Sequence, residues 1–189
     1  MKIGLYFGSF NPIHNGHLII ANHVLHNTEI EAVWFVVSPQ NPFKQNHSLL
    51  NEYHRLHLVQ TAIEGETRLV AVDIEFKLPK PSYTINTLAY LDEKYPEHEF
   101  SIIMGSDSLE NVENWKNGDL ILKRYAICVY ERLHYPVKQF PGANIVTLKA
   151  PLIEISASLI RKLIQEGKSI RYLVPDSVVD EINRSGYYK

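Results

Sequence analysis

Two histidines near the start of the chain offer the clearest chemistry. His14 and His17 sit three positions apart in the stretch Gly8-Ser9-Phe10-Asn11-Pro12-Ile13-His14-Asn15-Gly16-His17. Residues so spaced share one face of a first helical turn, so both imidazoles can meet one ligand. An apolar run with strand character, Ile3 to Phe7, precedes them, and Leu18 to Leu25 reads as a helix after them. A strand, a turn carrying glycine and a helix together form the arrangement that holds a phosphate at a helix N-terminus.

Four further stretches carry residue types suited to anions or flat rings. Ile155-Ser156-Ala157-Ser158-Leu159-Ile160-Arg161 opens a helix that Ser156 is placed to cap and Gly167 to stop. Hydroxyls, first-turn amides and the Arg161 guanidinium suit phosphate oxygens. Gly105-Ser106-Asp107-Ser108 follows an apolar strand, with Gly105 permitting close approach and Asp107 in a first helical turn. Trp115, followed by Lys116, offers a flat apolar face for stacking. Ser82-Tyr83-Thr84 precedes another helix, with Ser82 or Thr84 as its expected cap. Ser38-Pro39-Gln40-Asn41-Pro42-Phe43-Lys44 leaves a strand and ends on a cation.

To bring these together the chain needs a scaffold, and the periodicity supplies one. Apolar, β-branched runs fall at Ile3–Phe7, Ala32–Val37, Leu69–Val72, Phe100–Met104, Tyr125–Tyr130 and Ile145–Leu148. Helical patterns fall near Gly16–His26, Glu52–Ile63, Thr84–Tyr95, Ser106–Trp115, Ser156–Glu166 and Asp176–Arg184. Alternation of the two predicts an α/β fold: a Rossmann-like doubly wound parallel sheet with helices on both faces, binding ligands at the carboxyl ends of its strands. The 189 residues show no composition break, so residues 1–189 are expected to form one domain, closed by a helical segment over about 152–189.

Composition narrows the partners. A net charge of −2 gives no reason to expect nucleic acid or an anionic membrane. One cysteine, Cys128, excludes an internal disulfide and a thiolate metal cluster. No apolar run approaches a membrane span and no signal peptide is seen, so a cytoplasmic protein is expected. The pairs His23/His26 and His54/His57 have a spacing that a metal can use, but no further ligand is placed beside either; solvated or capping roles are the simpler reading.

The histidine stretch resembles the H-x-G-H signature of the nucleotidyltransferase superfamily, and the late Ile-Ser-Ala-Ser-Leu-Ile-Arg resembles its Ile-Ser-small-x-x-Arg motif. Ser82-Tyr83-Thr84, Gly105-Ser106-Asp107-Ser108 and Trp115 are similar to motifs of the bacterial nicotinate-nucleotide adenylyltransferases. The likeness runs from Lys2 to about Tyr172. It implies transfer of AMP from ATP to nicotinate mononucleotide, with release of pyrophosphate. It implies catalytic roles for His14, His17 and Arg161. ATP is then expected at Gly8, Ser9, Phe10, His14, His17, Gly105, Asp107, Ile155, Ser156, Ser158 and Arg161. The acceptor is expected at Asn11, Lys44, Thr84, Trp115, Lys116 and Arg132. Relatives usually carry a histidine before the loop lysine, where this chain has Phe43. The resemblance also implies Mg²⁺ held mainly by ATP phosphates and water, with no protein cage, and allows a homo-oligomer.

Within the superfamily the rival acceptors are nicotinamide mononucleotide, pantetheine phosphate and glycerol phosphate. Backbone amides at Thr84 and after Trp115 would favour the acid over the amide. A silent nucleotide-binding regulator would be expected to have lost a histidine or the Ser–Arg motif, and both stand here. A class I aminoacyl-tRNA synthetase fragment shares the histidines but would need a tRNA-binding extension.

Overall fold

The computed structural model describes residues 1–40, 49–151 and 153–189. Lys44 and Phe43 therefore lie outside the described residues. Six strands form one parallel sheet: β1 (Lys2–Gly8), β2 (Ala32–Val37), β3 (Leu69–Val72), β4 (Glu99–Gly105), β5 (Ala126–Tyr130) and β6 (Ile145–Leu148), in the order β3-β2-β1-β4-β5-β6. The chain winds outward from β1 through β2 to β3, then returns to place β4 on β1's other side. The reversal falls between β1 and β4, whose carboxyl ends are Gly8 and Gly105. Loops leaving adjacent strands there diverge and open a crevice.

Side chains alternate across a strand, and the two faces build two cores. Tyr6, Val33, Phe35, Ile103, Cys128 and Tyr130 face helices α1 (Asn15–Asn27), α2 (Glu52–Ala62), α6 (Ala157–Gln165) and α7 (Asp176–Ser185). Ile3, Leu5, Ile102, Met104, Ile127 and Val129 face α3 (Thr84–Lys94), α4 (Ser106–Glu110) and α5 (Gly118–Arg124). Being covered on both faces is why the strands read as continuous apolar runs. Each fully buried aliphatic side chain adds roughly 1.5–3 kcal/mol to stability.

Four expectations need correction. The helix expected over Ser106–Trp115 is broken: α4 stops at Glu110 and a 3-10 turn spans Val112–Asn114. Asn111 ends α4 by donating its side-chain amide back to the Asp107 carbonyl at 3.1 Å. Helix α5 was not expected, because a short helix opening on Asn117-Gly118 reads as a turn. Tyr125 belongs to the end of α5 rather than to β5, its hydroxyl donating to Asp92 Oδ2 at 2.6 Å. Neither Ser82 nor Thr84 caps α3. Tyr83 holds the cap position without a side-chain bond, and Thr84 is the first helical residue.

The histidine pair on α2, His54 and His57, serves packing. His54 Nδ1 lies 2.7 Å from the Tyr187 hydroxyl, and His57 Nε2 lies 3.8 Å from Glu181 Oε1. Both dock α2 against α7 and the residues following it. Among the described residues no helix is long and apolar enough to cross a membrane.

Candidate active site

The crevice at the sheet's reversal point is walled first by the turn after β1. Phe10 adopts a left-handed backbone, with φ 44°. Its buried ring lies on Gly8, where a Cβ would come within 2.8 Å of it. That ring also meets His17 edge-on at 5.0 Å between centroids and Phe35 at 5.4 Å. Phe10 thus supports the histidine pair from within the core while its backbone lines the cleft.

His14 holds the cap position of α1 in extended conformation. Its backbone N–H donates to His17 Nδ1 at 3.3 Å. A neutral His17 therefore carries its proton on Nε2, a donor. The two rings stack, 3.6 Å between centroids and 23° apart. His14 is buried, and its Nδ1 has no hydrogen-bond partner among the described residues. Burial, with the Arg132 cation adding to it, lowers its pKa from 6.5 to about 4, so the ring is neutral near neutral pH. Gly16 makes room for it: a Cβ there would sit 3.0 Å from His14 Nδ1.

The opposite wall is the start of α6. Ser156 caps it, Oγ accepting the Leu159 N–H at 3.2 Å. Arg161, one turn on, donates from Nη1 to the Asn11 carbonyl at 2.7 Å and from Nη2 to Ser158 Oγ at 3.3 Å. A cleft of about 530 Å³ is lined by Gly8, Ser9, Asn11, His14, His17 and Asp107 together with Arg132, Ile155, Ser156, Ser158 and Arg161. Two regions at opposite ends of the chain therefore face one space. Asn11 stands on this side, its side-chain oxygen accepting the Leu50 N–H at 3.1 Å.

The third wall comes from β4 and β5. Arg132 donates its backbone N–H to Ser106 Oγ at 2.9 Å and from Nη2 to the Tyr130 hydroxyl at 3.3 Å. Its Nε lies 3.8 Å from Asp107 Oδ1. Gly105 leaves room for this carboxylate: a Cβ there would fall 2.3 Å from Asp107 Oδ1, so the Asp107 side chain would have to shift.

A second pocket, about 180 Å³, adjoins the first. Ser9, Ser38, Glu75, Ser82, Tyr83, Thr84, Gly105, Trp115 and Lys116 line it. Trp115 and Tyr83 give it aromatic surface, and Lys116 gives it a cation, with Nζ 4.9 Å from the Tyr83 ring centroid and 3.4 Å from Asn86 Oδ1. Glu75 is buried and accepts the Thr87 hydroxyl at 2.9 Å. Burial raises its pKa, and the hydroxyls of Thr87, Ser38 and Ser82 oppose the shift. Thr84, Trp115 and Lys116 thus cluster in this pocket, while Asn11 and Arg132 lie with the histidines.

Several residues here had no signal in the sequence. Tyr6 and Tyr130 meet hydroxyl to hydroxyl at 3.2 Å where the two pockets join. Each reads as one more aromatic in an apolar strand. Glu75 reads as a surface charge.

A helix N-terminus, hydroxyls and a guanidinium converging at the switch point of a doubly wound sheet make an anion site of the kind that binds nucleotide phosphates. The comparisons with known proteins agree in class. The cytidylyltransferase-like family model matches residues 5–163. A probable nicotinate-nucleotide adenylyltransferase of Flavobacterium psychrophilum is 50% identical, covering 100% of both chains. Another, of Cytophaga hutchinsonii, is 51% identical over 100% of this chain and 98% of its own. Among solved structures, the Plasmodium falciparum nicotinic acid mononucleotide adenylyltransferase complexed with NaAD superposes with a TM-score of 0.83, at 22% identity, over 99% of this chain and 97% of that one. The chain belongs to the cytidylyltransferase-like family and, within it, to the nicotinate-nucleotide adenylyltransferases.

Proposed function

We propose that this chain transfers AMP from ATP to nicotinate mononucleotide, giving nicotinate adenine dinucleotide and pyrophosphate, a step of NAD biosynthesis, and does so in the cytoplasm. The observation that carries the reading is a phosphate-suited cleft joined to an aromatic, cation-bearing pocket, with the reversal point of the sheet between them.

The acceptor is already a phosphate, so no serine or cysteine nucleophile is needed. An oxygen of the mononucleotide phosphate attacks the α-phosphorus of ATP. The bond from that phosphorus to the bridging oxygen breaks, and pyrophosphate leaves with the electron pair. Catalysis then consists of alignment and charge stabilisation. His17 donates from Nε2 to the triphosphate, and neutral His14 orients beside it. Ser156, Ser158 and Arg161 hold the leaving phosphates from the far wall. Gly8, Ser9 and the Phe10 backbone let the chain approach closely, and Gly105, Asp107 and Ile155 border the adenosine. Trp115 stacks on the pyridine ring. The first-turn amides of α3, which starts at Thr84, and the Lys116 ammonium favour the acid, whose carboxylate is negative, over the amide. Asn11 and Arg132 meet the acceptor phosphate where the pockets join.

The donors facing the phosphate cleft are imidazole, hydroxyl and guanidinium, with Asp107 the one carboxylate among the described residues lining it. That set suits a divalent cation that would be held chiefly by phosphate oxygens and water, with Asp107 as the carboxylate that could assist. When bound, Mg²⁺ neutralises charge on the phosphate oxygens.

The test is pyrophosphate release from ATP with the acid or the amide mononucleotide, for the unsubstituted chain and for His17→Ala. Turnover should be faster with the acid and fall by at least about a hundredfold in His17→Ala. Equal rates with both acceptors would overturn the acceptor assignment, and near-unchanged turnover in His17→Ala would remove the histidine role.

A further inference from the structure

Beneath the wall that the two pockets share lies Arg55, in the first turn of α2, its side chain fully buried. Its guanidinium donates to four backbone carbonyls: Nε to Leu50 at 2.8 Å, Nη1 to Ser38 at 2.8 Å and to Ser9, and Nη2 to Pro39 at 3.2 Å. Among the described residues it forms no ion pair; the nearby Glu52 carboxylate is taken by Lys80 at 2.8 Å. A buried cation without a carboxylate partner is costly unless its donors are used, and here four of five are. Three of those carbonyls, of Ser9, Ser38 and Pro39, belong to the turns leaving β1 and β2, and the fourth, of Leu50, immediately precedes α2. Ser9 lines both pockets and Ser38 lines the smaller one. Near the chain's end Tyr188 covers this site. Its hydroxyl is buried with no hydrogen-bond partner among the described residues, and the Arg55 and Arg161 cations act on it.

We propose that Arg55 is a positioning residue for the transfer: by gathering the carbonyls of Ser9, Ser38 and Pro39 onto one planar fork, it fixes the two turns between which the acceptor is aligned. This rests on the transferase reading above. A planar fork reaches carbonyls on three of its sides at once, whereas a lysine presents three donors from one nitrogen and cannot span them. The charge is retained in Arg55→Lys and lost in Arg55→Gln, so the fork and the charge are separable.

The experiment measures KM and kcat for both substrates in Arg55→Lys and Arg55→Gln, at a temperature where circular dichroism shows each fully folded. In Arg55→Lys the KM for the acceptor should rise about tenfold and that for ATP by less, since Ser38 borders only the smaller pocket, and kcat should fall by tenfold or more. A merely destabilised protein would lose active fraction without moving KM. Wild-type KM values in folded Arg55→Lys would overturn the proposal. So would failure of both variants to fold, which would make Arg55 a residue of the fold and not of the site. The unsubstituted chain is assayed in parallel. Absence of pyrophosphate release there counts against the transferase reading alone, because calorimetric binding of a non-hydrolysable ATP analogue still reads whether Arg55→Lys displaces the Ser9 turn.

Discussion

The histidine pair shows how burial sets protonation. His14 has lost its water and faces the Arg132 cation, so its folded pKa, about 4, lies below the unfolded value of 6.5. A folded pKa below the unfolded one means that the unfolded chain binds more protons between those values. Stability from this residue is therefore full above about pH 6.5 and is lost as pH falls toward 4, by up to ~3 kcal/mol. Imidazole resonances followed by NMR should show His14 still neutral at pH 5 in the free protein, and ATP should move its titration upward. A midpoint near 6.5 without nucleotide would refute the account. A solvated cation needs no such setting, and the Arg132–Asp107 pair, more than a third exposed on both sides, contributes well under 1 kcal/mol.

Helix α6 illustrates an element whose ends are written into its own residues. Ser156 caps the start, as its sequence predicts. At the other end Gly167 takes a left-handed φ of 68°, its N–H reaching the Ile164 carbonyl at 3.0 Å, and Lys168 N–H reaches the Leu163 carbonyl at 2.8 Å. Those two bonds form the Schellman stop. Ser156→Ala should lower stability by ~1 kcal/mol, a fall in Tm of about 2–4 °C for a chain of this size, measured without nucleotide. No change would mean that water replaces the cap. Helices α4 and α5 behave otherwise. Gly118 sits where a Cβ would fall 2.0 Å from the Val112 carbonyl oxygen, so the break between them is a tertiary packing event that no local pattern announces.

At the scale of the molecule, the sheet order brings residues 150 positions apart into one bond, Arg161 Nη1 to the Asn11 carbonyl at 2.7 Å. That bond ties the late helix to the histidine turn across the cleft. Arg161→Met should lose both the tie and a cation for the phosphates, reducing kcat/KM by about a hundredfold or more, while the melting temperature falls only slightly because Arg161 is partly solvated. Activity within threefold of the unsubstituted chain would show that the two walls act independently.

All six strands were legible because a parallel sheet covered on both faces reads as apolar runs, and β2, β3 and β6 fall on their expected residues. The anion-suited turns were legible as well, since glycine, hydroxyl and histidine at a strand-to-helix junction act through local backbone geometry. The sequence alone determined which short stretches could hold phosphate and that strand and helix alternate. Tertiary structure alone decided that Tyr6 meets Tyr130, that Glu75 is buried beneath a pocket and that Arg55 underlies both turns. The physical reason is that a local motif carries its partners within a few residues, whereas burial, charge environment and contact across a sheet exist only once strand order and register have been set.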